Sequence, residues 1–397
     1  MPTSQDRAGI YYWKCDRAAA FHGTETLRPD NPQLQAQLRQ ALEKRFPDAP
    51  FTLTPADGQG NHRTFRLTFS GGRGATPAAR THGSADGVAA VPPLHPAALG
   101  VPSEAFVRTE DGPERDNYFA VESAVTAELL KRGIPAPQVL ACDCSRTETP
   151  FAWQALEYVP YPDLNQHHKQ GTLAIGPIAE AIGEAVARWQ DIRPCGFGPF
   201  SASEALAHGT LTGLHASYPS YFTLNLKRHV DFLQAHRFFT EGQSALVLDA
   251  IARHQHLLGI GQGCLVHKDL ALWNILGSRQ DIAAFIDWDD AISGDPMDDL
   301  SLLGCFYSAP VIEHALAGYA RVRPLPGEYM ARLWLHLLRN MLVKAVIRVG
   351  AGYFKRNDSF FLIGAGSTGA ELEAFTRARI DCAVRGLNEN CDLSILS

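Results

Sequence analysis

Residues 265–290, LVHKDLALWNILGSRQDIAAFIDWDD, constrain this chain more than any other stretch. Short apolar runs bounded by turn residues read as buried strands. Gly263-Cys264-Leu265-Val266 leads in, Trp273-Asn274-Ile275-Leu276 follows a loop, and Ile282-Ala283-Ala284-Phe285-Ile286 runs into an acidic cluster. Gly277 to Asp281, between the last two, is turn chemistry. Asp269 is therefore expected on a loop, Asn274 at the start of one hairpin strand, and Asp287 just past the other. Three oxygen-bearing side chains would meet at one end of a small hairpin.

Such a group has a definite chemistry. A carboxylate on a loop can accept the proton of an attacking hydroxyl, the role open to Asp269. An Asn and an Asp a hairpin apart, Asn274 and Asp287, can hold Mg²⁺, a hard cation that prefers oxygen ligands. A base beside a two-residue metal grip is the core of phosphoryl transfer from ATP. His267, Asp269 and Asn274 also keep the kinase catalytic-loop spacing His-x-Asp-x-x-x-x-Asn. Singly, an Asp near an Asn is ordinarily a turn. The expectation rests on the joint pattern.

Two further motifs follow in order, Ile286-Asp287-Trp288 and Gly294-Asp295-Pro296-Met297-Asp298-Asp299-Leu300. With them the segment resembles the catalytic core of the aminoglycoside phosphotransferase / choline kinase family, the small-molecule branch of the protein-kinase-like fold. The resemblance covers roughly residues 50–350 and is densest at 265–300. It implies an α+β, bilobal protein-kinase-like fold with a small antiparallel-sheet lobe and a larger, mainly helical lobe. His267 would orient the loop without doing chemistry. Lys268 stands where the family usually has Gly, with its side chain expected in solvent or on a phosphate. Asp289 would add at most a further metal contact, and Asp299 is expected to cap the helix starting at Leu300.

Composition narrows the class. The chain has 397 residues, 45% hydrophobic and 20% charged, as in a soluble globular protein. No apolar run approaches the roughly 18 residues that span a bilayer, and no membrane partner is expected. The start, MPTSQDRAGIYYWKCDR, lacks the basic and apolar regions of a secretory signal. The eight cysteines are scattered, with only Cys142 and Cys144 close-set, which suits reduced thiols in the cytoplasm. A formal charge of −6 argues against a nucleic-acid partner. Nothing in the sequence fixes an oligomeric state.

Along the chain, the aromatic run Tyr11-Tyr12-Trp13-Lys14 leaves two readings, a cap on the domain or cover over a binding cleft and an ordered extension packed on the core, of which the second is favoured. Leu34, Leu38, Leu42 and Phe46 recur on one helix face behind Asn31-Pro32. Phe51–Thr54 and His62–Phe69 read as strands about a turn containing Gly58 and Gly60. The resemblance makes that turn the nucleotide-covering loop, its backbone amides over phosphates. Residues 70–103, rich in Gly, Pro and Ala, read as a flexible insertion. Glu104–Thr109 reads as a third strand, and the resemblance sets Arg108 where the fold has its phosphate-gripping Lys. Arg can hold phosphate oxygens but is not a neutral replacement. Asn117–Lys131 reads as a helix closed by Gly133; its Glu122 is the implied ion-pair partner of Arg108. Ile134–Ala141 and Phe151–Val159 read as strands, and the backbone of Glu157, Tyr158 and Val159 is the implied adenine-binding hinge.

These readings divide the chain into a nucleotide-binding lobe, 1–159, with the insertion at 70–103, and a catalytic, substrate-binding helical lobe, 160–397. In the latter, Gly196-Phe197-Gly198-Pro199 reads as a turn, and residues 221–233, 244–258, 300–307, 311–319, 328–349 and 368–387 as helices. The implied activity is transfer of the ATP γ-phosphoryl group, with Mg²⁺, to a hydroxyl of a small molecule: an antibiotic, a sugar, an amino alcohol or a natural product. From residue 301 onward 11 Lys and Arg face 8 Asp and Glu, which weighs against a polycationic acceptor. The alternative is a pseudokinase-like nucleotide-binding or scaffold module, with Arg108 its best argument.

Overall fold

The computed structural model describes residues 7–16, 31–56, 62–70, 102–112, 115–357 and 368–396. They form two compact units interleaved in sequence: one draws on 24–119 and 137–158, the other on 1–23, 120–136 and 159–397.

The first unit is a five-stranded antiparallel sheet backed by a helix. β1 (Phe51–Pro55), β2 (Arg63–Phe69), β3 (Glu104–Glu110), β4 (Val139–Asp143) and β5 (Ala152–Glu157) lie in the order β1-β2-β3-β5-β4. The alternation in β2 sends Phe65, Leu67 and Phe69 inward while Arg66 and Thr68 face solvent. The helix Pro32–Arg45 begins where expected, because the Asn31 side chain accepts the Leu34 amide hydrogen at 3.0 Å. Its Leu34, Leu38 and Leu42 pack with Leu53, Leu67, Val107 and Trp153. Each fully buried leucine contributes about 1.5–3 kcal/mol. The strand expected over 134–141 starts only at Val139. Pro135 and Pro137 each lack the N–H a ladder needs, so the preceding residues stay irregular.

The second unit is mainly helical. β6 (Phe197–Phe200), β7 (Gly213–His215), β8 (Cys264–Val266) and β11 (Ile292–Gly294) form a sheet in the order β7-β6-β11-β8, and β9 (Ile275–Gly277) pairs with β10 (Ile282–Phe285) as a hairpin. The turn expected at Gly196–Pro199 is thus strand β6. Gly196 has φ +68°, and a Cβ there would lie 2.4 Å from the Gly213 carbonyl oxygen, so glycine serves close strand approach as well as the bend. The helix expected over 221–233 is two, Tyr218–Phe222 and Leu226–Ala235, broken where Asn225 turns left-handed at φ 56°. The helices Ile175–Trp189 and Ala309–Val322 cross at Gly183 and Gly318, where a Cβ would lie 1.8 Å from the Ala315 carbonyl oxygen and 2.0 Å from that of Glu180. Among the described residues Tyr329–Gly350 is the longest helix, with Leu333 through Val343 buried, and Gly369–Glu389 follows a Thr368–Glu371 capping box. Among the described residues no helix is long and apolar enough to cross a membrane.

Candidate active site

β8 ends at Val266 and the chain turns sharply through His267, Lys268 and Asp269, with Lys268 in the left-handed region at φ 70°. The turn is held from below by one carboxylate. Asp299 accepts the His267 amide at 2.9 Å on one oxygen and the Lys268 amide at 3.1 Å on the other, while the Trp189 indole N–H reaches it at 3.2 Å. The sequence reading made Asp299 a helix cap. The helix instead starts at Asp298, its cap position is Met297, and no side chain caps it. The reading of Lys268 also fails. Its side chain is 1% exposed, and its ammonium donates to Asp298 (2.8 Å), Asn340 (3.0 Å) and the Tyr11 hydroxyl (3.2 Å). Positive φ turns this side chain into the helical core.

His267 is the orienting residue expected. Its Nδ1 accepts the Asp269 amide at 3.3 Å, so Nε2 carries the proton and donates to the Ile286 carbonyl at 3.0 Å. Burial lowers its pKa, which keeps the ring neutral. Asn274 ends a short 3₁₀ turn, Leu272–Asn274, instead of opening the strand. Its Nδ2 donates to the Asp269 carbonyl (2.8 Å) and carboxylate (3.3 Å), which leaves its Oδ1 facing away from Asp269. The Ile286 amide donates to the Asn274 carbonyl at 3.0 Å, so Asp287 follows one residue past a direct bond to Asn274. Asp287 is left-handed, φ 66° and ψ 57°, a conformation that Asp tolerates better than most residues. The hairpin therefore brings Asp269, Asn274 and Asp287 together at one end.

The run Tyr11–Lys14, which lies in the segment Arg7–Asp16, is expected to pack on the core, with cover over a binding cleft as the alternative. It does pack there, and it also reaches Asp269. The Tyr12 hydroxyl donates to Asp269 Oδ1 at 2.9 Å, and Lys14 Nζ lies 3.0 Å from Oδ2. Lys344, from the helix Tyr329–Gly350, reaches Oδ1 at 3.0 Å. Asp269 is only 3% exposed, and burial alone would raise its pKa. The charges and hydrogen bonds of Lys14 and Lys344 outweigh that and hold it well below the usual carboxylate range. Arg7 donates to the Asp289 carbonyl at 2.6 Å and lies 3.7 Å from the Asp290 carboxylate. Burial and then the Asp289 charge push Asp290 up to about 7, against the pull of Lys14 and Arg7. Tyr12, Lys14 and Lys344 were not singled out as site residues. The Tyr-Tyr-Trp-Lys run pointed at most to a cleft cover, without naming a residue, and Lys344 was one charge in a basic tail.

The segment is anchored by Asp16. One of its oxygens accepts the Tyr11 and Tyr12 amides (2.9 and 3.2 Å), and the other lies 2.8 Å from His229 Nε2. Cys15 adds a thiol 3.5 Å from that nitrogen, and the three residues have metal-ligand spacing. The Arg339 guanidinium donates to His229 Nδ1 at 3.0 Å, however, so Nε2 is the protonated nitrogen. With both ring nitrogens engaged and a guanidinium adjacent, the group is an anchor and offers no cation site. Tyr11 stacks on Tyr221 at 4.9 Å between centroids, under Arg339 at 3.5 Å, and accepts the Tyr221 hydroxyl on its carbonyl at 2.8 Å.

The remaining expected residues fall as follows. Arg108 is buried on β3, with Nη2 donating to Gln154 at 2.7 Å and its guanidinium 5.1 Å from the Phe119 ring. Glu122 is buried on the helix Tyr118–Lys131 and accepts the Trp288 amide at 3.4 Å, next to Asp287. Glu157 gives its amide to the Gln138 carbonyl at 2.8 Å, the Tyr158 ring lies 4.6 Å from the Arg66 guanidinium, and the Val159 carbonyl accepts the Tyr161 amide at 2.8 Å. Gly58, Gly60 and most of the 70–103 insertion lie outside the described residues.

A family model described as the phosphotransferase enzyme family matches residues 99–332. No curated protein matches the chain. Among solved structures, a thermostable mutant of an aminoglycoside phosphotransferase, in ternary complex with AMP-PNP and hygromycin B, is 19% identical. That match covers 88% of this chain and 98% of that one, with a TM-score of 0.56. A putative fructosamine-3-kinase from Thermobifida fusca is 19% identical over 85% of this chain and 97% of that one, TM-score 0.52. Another from Haemophilus somnus is 14% identical over 88% and 98%, TM-score 0.52. The family match and the fold define a phosphotransferase on an α+β, kinase-like scaffold. The chain belongs to the phosphotransferase enzyme family.

Proposed function

We propose that the enzyme moves the γ-phosphoryl group of ATP to a hydroxyl of a small molecule in the cytoplasm. The observation that carries the reading is the hairpin-end geometry: Asn274 bonded to Asp269 by its amide and to Ile286 by its carbonyl. Asp269 orients the acceptor hydroxyl and takes its proton. The donor set Asn274 and Asp287, with Asp289 close by, consists of hard oxygens and fits Mg²⁺. When bound there, the ion would neutralise charge on the phosphate oxygens during transfer. Arg108 is the basic residue that would grip ATP phosphates. The backbone of Glu157, Tyr158 and Val159 serves adenine. The cytoplasm suits eight free thiols.

Two lysines on Asp269 weigh against a polycationic acceptor, because like charges repel in a buried site. A sugar, an amino alcohol with few charges or a natural-product hydroxyl fits better. The test is ATP consumption with Mg²⁺ against pooled hydroxyl metabolites and antibiotics, beside Asp269→Ala. Turnover with one pool that disappears in the variant supports a small-molecule kinase. No turnover in any pool, with no thermal shift on Mg·ATP, leaves the pseudokinase-like module, which the replacement of Lys by Arg108 favours.

A further inference from the structure

We propose that Tyr12 is a self-phosphorylation site, its phenol serving as an acceptor hydroxyl built into the chain. The inference rests on the reading of Asp269 given above. If Asp269 orients the hydroxyl that attacks the γ-phosphoryl group, the hydroxyl it already orients is that of Tyr12, at 2.9 Å. That separation lies within the range for proton transfer between a general base and a nucleophile.

Three further features support the assignment. First, the Asp269 carboxylate is saturated by its own chain: Tyr12 and Lys344 on Oδ1, Lys14 and Asn274 on Oδ2. A carboxylate offers about four acceptor sites, so an outside hydroxyl would have to displace one of these donors. Second, the two ammonium groups flank the phenol on the same carboxylate. Developing charge on a transferred phosphoryl oxygen would meet fixed cations there. Third, Tyr12 is held in position. The Asp16 carboxylate binds its amide, the Tyr221 hydroxyl binds the preceding carbonyl, and Arg7, Tyr11, Trp13 and Cys15 are buried around it. Such preorganisation favours reaction at this hydroxyl over one that must first be captured.

The step balances without an added oxidant or reductant. Tyr12 Oη forms the bond to the γ-phosphorus, and the bond from that phosphorus to the β–γ bridging oxygen breaks. ADP leaves with the electron pair. The phenol proton passes to Asp269 and then to solvent. Tyr11 is an internal control, because its hydroxyl lies against Lys268 and belongs to the helical core.

The experiment incubates the full-length protein with Mg·ATP and reads phosphate per chain by intact mass, its position by fragment spectra, and its ester type by phosphorus NMR. Expected is near-stoichiometric phosphate on Tyr12 and none on Tyr11, formed at a rate per chain independent of protein concentration. The signal should be absent in Tyr12→Phe and with EDTA, and slowed about 10²–10⁴-fold in Asp269→Asn. Circular dichroism and melting of both variants separate loss of the hydroxyl from loss of fold. Phosphate on Tyr11 alone, or a rate per chain that rises with protein concentration, overturns the proposal. If a small acceptor is turned over while Tyr12 stays unmodified, the inference fails and the kinase reading stands. If Tyr12→Phe then speeds that turnover, the segment is a plug instead of a substrate. If the protein neither binds nucleotide nor consumes it, the kinase reading fails and this inference with it.

Discussion

Two groups of residues hold the loop at Asp269, and they do it differently. Beneath it, Asp299 grips the amides of His267 and Lys268, and Lys268 ties the loop to Asp298 and Asn340. Above it, the segment Arg7–Asp16 places Tyr12 and Lys14 on the carboxylate itself. The lower group acts on backbone and fixes shape. The upper group acts on a side chain and fixes charge and proton affinity. Damage below should therefore appear first as lost stability, and damage above as altered chemistry in a folded protein.

The sharpest test of that division is Asp269 itself, which both groups address. Asp269→Ala should lower turnover about 10²–10⁴-fold. A melting temperature that fell just as severely would blur the distinction. Below the loop, Lys268→Met removes the ammonium partner of the buried Asp298 carboxylate and leaves it the Asn340 amide at 2.8 Å. Breaking such a buried pair costs about 3–5 kcal/mol, so the denaturation midpoint should fall steeply whatever the activity. An unchanged midpoint would remove the lower group from the comparison.

The upper group should respond to pH through its anchor. Burial pushes the Asp16 carboxyl up, but the His229 hydrogen bond and charge and the Tyr12 and Tyr11 amides outweigh it, leaving it low. Burial lowers the His229 pKa, Arg339 adds to that, and Asp16 only partly opposes it. Both folded values lie below the unfolded ones, so both contributions are complete above the unfolded pKa values and are lost as pH falls. Acidification from pH ~7 to ~5 crosses the ordinary histidine value of about 6.5. It should lower the melting temperature of the native protein more than that of His229→Gln; equal slopes would show the anchor does not titrate. Smallest is Lys14→Met. Its side chain is 34% exposed and Lys344 still pairs with Asp269, so stability should change by no more than about 1 kcal/mol. The pH profile of turnover should shift upward as Asp269 loses one of its two ammonium partners; no shift would assign Lys14 a structural part only.

What the sequence disclosed follows the range of the interactions involved. Asp269, Asn274 and Asp287 were legible because a hairpin with turn chemistry at Gly277–Asp281 brings near neighbours together. Asn274 proved to end a 3₁₀ turn, a difference of one residue from the expected strand start. The fold class was legible from the same motifs and from strand alternation in β2. Asp299 was misjudged because capping rules look a few residues ahead, whereas its partners lie 31 and 32 residues back. Lys268 was misjudged because a positive φ at a lysine leaves no mark in the sequence. Glycines suggested a turn at 196–199 where close strand packing required them. The count of charges after residue 301 gave a sign but could not say that Lys344 would meet Asp269.

The contact between Tyr12 and Asp269 spans 257 residues of chain, and that separation bears on how the molecule assembles. Closing a loop costs entropy that grows with its length, about 0.6 kcal/mol for each doubling. Contacts that close long loops therefore tend to follow those that close short ones. The hairpin and the Asp299 grip, closing far shorter loops, can form before the N-terminal segment has partners. On the ribosome that segment is made before its partners and must wait for them, because His229, Asp269, Arg339 and Lys344 all emerge after it. The carboxylate is built early and enclosed late.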